Sequence, residues 1–168
     1  MNSSRRRLSS RCNFCSEGST VAIRRLCENG DAVAFLSNAP IVPGHTLIVP
    51  SRCVRSIDEL DRRELEAIFA LRGRLKPVLE SVLQAEGFNY AWNEGSVAGQ
   101  TVPHLHLHMV PRRTGDVGVL GYDPRKMFYR PGPRDSLPPD DLADLASRIR
   151  NVVIADFGSR SFTCEAAE

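Results

Sequence analysis

Pro103-His104-Leu105-His106-Leu107-His108-Met109-Val110-Pro111 packs three of the chain's four histidines into nine residues. An imidazole can attack as a nucleophile, relay protons near neutral pH, or bind a metal. The histidines alternate with Leu105, Leu107 and Met109. Side chains of a β-strand point to opposite faces with a period of two. A strand therefore sets His104, His106 and His108 in one row and sends the aliphatics into a core, whereas a helix would scatter the rings. Pro103 and Pro111 suit the two ends of that strand, since proline cannot donate to a ladder. The alternative is a solvated strand face that merely happens to carry histidines.

Two further groups stand where they could join this row. Cys12-Asn13-Phe14-Cys15 is a Cys-x-x-Cys pair. Alone it fits half a zinc site, a redox pair, or two free thiols in a loop. A thioredoxin-like pair needs a βαβ setting that the following residues do not offer. A zinc site needs two more ligands, and His45 and His104 are the candidates. Residues 95–101, Gly-Ser-Val-Ala-Gly-Gln-Thr, form a small-residue loop that leads straight into the histidine stretch. Backbone N–H groups in such loops make concavities for anions. No Lys-Ser/Thr follows the glycines, so this is not a Walker loop. Its amides, with Gln100 and Thr101, are expected beside the imidazole row.

The elements that must position these groups can be read in order. Residues 21–28 and 32–37 read as strands around Asn29-Gly30, a hairpin signal. His45-Thr46-Leu47-Ile48-Val49-Pro50 reads as a third strand and residues 88–93 as a fourth; the histidine stretch is the fifth. Residues 58–86 form the longest helical pattern, with Leu60, Leu65, Ile68, Phe69, Leu71, Leu75, Leu79, Val82 and Leu83 near the spacing of one apolar stripe. Asp58 or Asp61 can cap its start and Gly87 can end it. Pro77 predicts a kink near Lys76. Arg62, Arg63, Arg72, Arg74 and Lys76 are expected on its solvated face. After Pro111 the chain turns basic and Pro-rich. Residues 140–156 regain helical spacing through Leu142, Leu145, Ile149 and Val153.

Composition bounds the rest. The 168 residues, 42% hydrophobic and 25% charged, suit one soluble globular domain with tails. The domain is expected over residues 12–116. A disordered basic tail (1–11) precedes it, and an arm with a helix (117–157) and a loose tail (158–168) follow. No apolar run reaches the length of a membrane span. A net charge of +2 gives no argument for nucleic acid. The five cysteines are an odd number, and no apolar leader opens the chain, which favours the cytoplasm.

The stretch from Gly99 to Val110, with its His-x-His-x-His core, resembles the signature of the histidine triad (HIT) superfamily. Pro43-Gly44-His45-Thr46-Leu47-Ile48-Val49-Pro50 is similar to that family's Pro-Gly-His strand, and Cys12-x-x-Cys15 to the opening of many bacterial members. The resemblance implies an α+β fold, a five-stranded antiparallel sheet with one long helix, to which the present reading adds a C-terminal helix. It also implies a homodimer. It implies chemistry at the α-phosphate of a nucleotide or dinucleoside polyphosphate, with no organic cofactor. His106 would be the nucleophile that forms a nucleotidyl-histidine, and His108 would contact the phosphate and protonate the leaving group. His104 completes the triad. Asn93 and Gln100 map to polar contacts around the phosphate. The family often has Asp or Asn for the ribose hydroxyls; here Ser37-Asn38 stands at that place. Cys12, Cys15, His45 and His104 match the ligands of zinc-containing members, which implies a closed structural zinc site.

Two branches of the family compete. Asn93-Glu94-Gly95 looks like the nucleoside phosphoramidase branch. Residues 98–102 with Val110-Pro111-Arg112 and Gly115-Asp116 look like the branch that cleaves diadenosine polyphosphates, by hydrolysis or phosphorolysis, and this is the preferred reading. A non-catalytic nucleotide-binding module is the rival of another class. A zinc hydrolase built on the three histidines is weaker, because no carboxylate stands beside them as a base.

Overall fold

The computed structural model describes residues 12–15, 21–116 and 138–157. The expectations for residues 1–11, 117–137 and 158–168 lie outside the described residues. Five antiparallel strands form one sheet: β1 (Arg25–Glu28), β2 (Ala32–Leu36), β3 (Thr46–Pro50), β4 (Gly87–Trp92) and β5 (Leu107–Arg112), in the order β1-β2-β3-β5-β4. A single helical turn α1 (Val21–Arg24) precedes β1. The long helix α2 (Arg62–Leu83) and the C-terminal helix α3 (Pro139–Phe157) cover one face of the sheet. The α+β class read from the sequence is therefore the observed one.

Strand alternation divides the side chains of β2, β3 and β5 between two faces. Ala34 and Leu36 of β2, Ile48 of β3, and Leu107 and Met109 of β5 pack with Ile68, Leu71, Leu75 and Leu79 of α2. Phe35, Leu47 and Val49 lie on the opposite face with Val21 and Phe14. From α3, Leu142, Ala146, Ile149 and Val153 complete the helix-side core, and Arg150 donates to the Arg25 carbonyl at 2.6 Å.

Several local expectations are corrected. Residues 21–24 form a helical turn rather than the first half of a strand, which turns Val21 inward while Ile23 stays 40% exposed. A strand would have sent both to the same face. The hairpin turns on Gly30-Asp31, with Gly30 at φ +86° and the Asn29 N–H bonded to the Ala32 carbonyl. Positive φ at the first central position alone is the II′ pattern, one residue later than Asn-Gly implies. Helix α2 starts at Arg62 behind Asp61, whose side chain accepts the Glu64 N–H while Glu64 accepts the Asp61 N–H. This is a reciprocal capping box. The helix runs unbroken through Pro77 and stops at Gln84, whose φ of 56° is left-handed, so Gly87 opens β4 instead of ending the helix. Phe69 is 52% exposed and lies off the buried stripe. Arg72 and Lys76 are not simply solvated: they lie over the rings of Tyr90 and Phe88, at 4.7 and 5.7 Å from the centroids.

The largest correction concerns the histidine stretch. Strand β5 begins at Leu107, so only His108 of the three histidines is on it. The residues before it bond elsewhere: His104 N–H to the Val102 carbonyl at 2.8 Å and Leu105 N–H to the Val54 carbonyl at 2.7 Å. Pro111 sits inside the strand, opposite Phe88.

Candidate functional site

Three imidazoles meet at the start of β5, and each has a different second partner. His106 is 4% exposed, and its Nδ1 lies 2.7 Å from the His104 carbonyl oxygen. A carbonyl only accepts, so Nδ1 carries the proton and Nε2 keeps its lone pair. Burial, opposed by that hydrogen bond, holds His106 below the ordinary imidazole pKa. The ring is therefore neutral at pH 7, as a nucleophile requires. The same logic fixes His104. Its Nε2 donates to the Pro50 carbonyl at 2.9 Å, which leaves the Nδ1 lone pair to face other groups. Burial holds its pKa down as well, with the Pro50 bond opposing and His106 adding to the shift.

His108 is reached through His45. The Ile41 N–H donates to His45 Nδ1 at 3.1 Å, and His45 Nε2 lies 2.9 Å from His108 Nδ1. With one proton per ring this relay has a single solution. His45 donates from Nε2, His108 accepts at Nδ1, and the His108 proton sits on Nε2. The His106 and His108 rings meet edge-on, 4.7 Å between centroids. A ring with a lone pair thus stands beside a ring with an N–H, a pairing suited to attack on phosphorus and protonation of what leaves.

The loop before this stretch is held by Gln100. Its Oε1 accepts the Gly95 N–H at 2.9 Å and its Nε2 donates to the Arg55 carbonyl at 2.8 Å. Gln100 therefore shapes the loop, since both of its polar atoms are engaged there. Gly99 has φ +88°, and a Cβ there would come 3.7 Å from the Asn93 amide nitrogen. Thr101 and Asn38 are exposed, and Asn93 is half-buried. Ser37 is buried and its N–H donates to the His45 carbonyl at 2.8 Å. A cavity of about 510 Å³ lies at the far end of the sheet, lined by Pro43, Leu83, Pro111 and Arg148, and none of the histidines lines it.

Beside the imidazoles is a second cluster. Cys12, Cys15, Cys53 and His104 bring one ligand atom each within 4.8 Å of one another. The Cys12 and Cys15 sulfurs both lie 3.3 Å from His104 Nδ1, the nitrogen whose lone pair is available. The sequence reading placed His45 in this set. The structure puts Cys53 there and commits both nitrogens of His45 to Ile41 and His108. Cys53 was missed because it lies outside the Cys-x-x-Cys pair. The usable signal was its place just past β3, the strand that runs beside β5. Burial, with the neighbouring thiols, pushes the Cys15 thiol well above its usual pKa, and burial raises Cys53 too. Crowded thiols like these resist ionising unless a cation joins them, and a coordinated thiol gives up its proton. Three soft sulfurs and one imidazole are a zinc-type donor set, and tetrahedral bonds of about 2.3 Å put ligand atoms about 3.8 Å apart. The residues fit such an ion.

Arg52, beside Cys53, clamps this loop to the helix. Its guanidinium donates to both carboxylate oxygens of Glu64, at 2.7 and 2.6 Å, and to the Glu59 carbonyl at 2.6 Å. The Arg52 pairing holds the Glu64 carboxyl below its ordinary pKa, against the opposing effect of burial.

This combination, an antiparallel α+β sheet with a row of differently tautomerised imidazoles beside a thiol cluster, defines the class of site. Residues 21–115 match the family model described as the HIT domain. An uncharacterized HIT-like protein of Mycoplasma genitalium is 37% identical over 72% of this chain and 86% of its own length. The chain belongs to the HIT family. A bis(5'-nucleosyl)-tetraphosphatase of Schizosaccharomyces pombe is 39% identical over 51% of this chain, a match that spans 47% of that relative. Among solved structures, a zinc-bound histidine triad family protein of Mycobacterium smegmatis superposes with TM-score 0.63 at 28% identity, covering 82% of this chain and 88% of that one. Among the described residues, no helix is long and apolar enough to cross a membrane.

Proposed function

We propose that this protein cleaves nucleotides at the α-phosphate through a nucleotidyl-histidine on His106, with dinucleoside polyphosphates as its substrate class. The hydrogen bond from His106 Nδ1–H to the His104 carbonyl carries the reading, because it leaves Nε2 as the attacking atom. Nε2 bonds to the α-phosphorus while the P–O bond to the remaining phosphate chain breaks. The departing oxygen takes the proton on His108 Nε2. A water then loses a proton to His108 and bonds to phosphorus as the N–P bond breaks. Phosphate in place of water would make the same cycle a phosphorolysis. Splitting the displacement in two lets a neutral imidazole do what water does poorly. His45 keeps His108 in the tautomer that can donate. The sequence match to a tetraphosphatase supports the substrate class.

In this reading Cys12, Cys15, Cys53 and His104 Nδ1 hold one zinc ion. The four protein ligands leave no open position, so the ion ties the N-terminal segment to the site and serves as structure. The Zn-bound Mycobacterium smegmatis relative supports it. The homodimer implied by the family resemblance finds its most suitable surface at β4, an outer strand whose six residues are all half-buried.

Turnover of diadenosine tetraphosphate measured beside adenosine phosphoramidate tests the substrate class. A higher kcat/KM on the polyphosphate is expected, and the reverse order overturns that class in favour of a phosphoramidase. Tight AMP binding with no turnover of either would replace the enzyme with a binding module.

A further inference from the structure

One of the two residues between Cys12 and Cys15 lies against the nucleophile. Phe14 belongs to the Cys12-to-Cys15 turn, which is closed by the Cys15 N–H bonding to the Cys12 carbonyl at 3.0 Å. Its half-buried ring sits on the histidine face of the sheet. It lies 5.5 Å from the His106 ring at 84°, 5.8 Å from the His104 ring at 57°, and 5.2 Å from the Phe35 ring at 61°. These are edge-to-face or tilted contacts in the favourable range for aromatic pairs. A second connection runs through His104, whose Nδ1 faces the thiols while its carbonyl holds the His106 proton.

We propose that Phe14 couples the thiol–imidazole cluster to the nucleotide site, so that filling either one favours filling the other. The inference rests on the reading above, in which the cluster binds zinc and His106 meets a nucleotide phosphate. An ion on Cys12 and Cys15 fixes the short turn between them and leaves the Phe14 ring one place to lie. That place walls in His106. Without the ion, the turn keeps its backbone bond, the weak thiol contacts to His104 Nδ1 and the ring contacts. A nucleotide binding at His106 would then have to order the turn itself and would bind more weakly. Coupling of this kind is reciprocal: whatever factor zinc adds to nucleotide affinity, the nucleotide adds to zinc affinity. Phe14 is a positioning residue here, and it takes no part in bond making.

The test is a competition for Zn²⁺ between the full-length protein and a chromophoric chelator, with and without saturating AMP. In the wild type AMP should tighten zinc binding by about five-fold or more, within the usual range for coupled sites. Calorimetric AMP affinity should fall by a matching factor when the chelator strips the metal. Phe14→Ala should still bind zinc but lose the AMP effect to within about two-fold of none. Phe14→Leu, which keeps apolar bulk without a ring edge, should show a reduced effect and carries the test if the alanine variant does not fold. Zinc and AMP binding independently to the wild type overturns the coupling, and full coupling in both variants overturns the part given to Phe14; either result leaves the functional reading intact. A wild type that takes up no zinc or no AMP overturns the coupling and that part of the reading together.

Discussion

The two faces of the sheet are built from the same strands and work by different physics. On the helix side, Ile48, Leu107 and Met109 are held by contact with α2. Such packing is non-directional, scales with area, and tolerates swaps that conserve volume. On the other side, His108 of β5 and His106 just before that strand are held by bonds to particular atoms: the His45 ring and the His104 carbonyl. There the loss of one donor changes which nitrogen carries a proton, while the buried area hardly changes. The comparison teaches that stability and chemistry were separated by a period of two, and each should respond to its own class of substitution.

The largest effect is expected at the proposed zinc site. Cys53→Ala should lose the zinc and with it a binding contribution on the order of 10 kcal/mol, seen as a lower Tm and a metal content below that of the wild type. His45→Ala should keep its zinc. Equal metal loss in both variants would return His45 to the ligand set. On the helix side, Ile48→Ala should cost about 2–5 kcal/mol in chemical denaturation while kcat per folded molecule holds. A fall in kcat at full folding would show that the two faces are not separate. His45→Ala, which empties a buried position, should cost stability as well, but its mark is a kcat per folded molecule about 100-fold lower, because His108 loses the partner that fixes its tautomer. A variant with full kcat would remove the relay.

The smallest effect lies at the clamp between the faces. Glu64 has a depressed pKa in the folded chain, so its contribution is complete above the ordinary glutamate value and is lost as pH falls from there through the folded value. Glu64→Gln should therefore cost about 2 kcal/mol at pH 7 and progressively less in acid, followed by denaturation across pH. A difference that stays constant down to acidic pH would contradict the ion pair's role.

The strands and the long helix were legible because hydrophobic periodicity is local. Ala34, Leu36, Ile48 and Leu71 announce their faces from their neighbours alone. Cys12, Cys15 and His104 were legible as candidate ligands from residue type and spacing. Cys53 was not, because nothing local separates a ligand thiol from a spare one; only the pairing of β3 with β5 brings it to His104. The late start of β5 was hidden for the same reason. Alternation predicts a strand from Pro103, but His104 and Leu105 bond to the Val102 and Val54 carbonyls instead of joining the ladder. The tautomers of His106 and His108 depend on a carbonyl and a ring that sequence cannot orient.

The central claim is that His106 Nε2 becomes bonded to phosphorus. Acid-free quenching during turnover of diadenosine tetraphosphate, followed by peptide mass spectrometry, tests it most directly. The account predicts an adenylyl adduct on the peptide carrying His106, absent in His106→Asn, whose turnover falls by about a thousand-fold or more. Turnover without an adduct at any quench time, or an adduct that persists in His106→Asn, would contradict it.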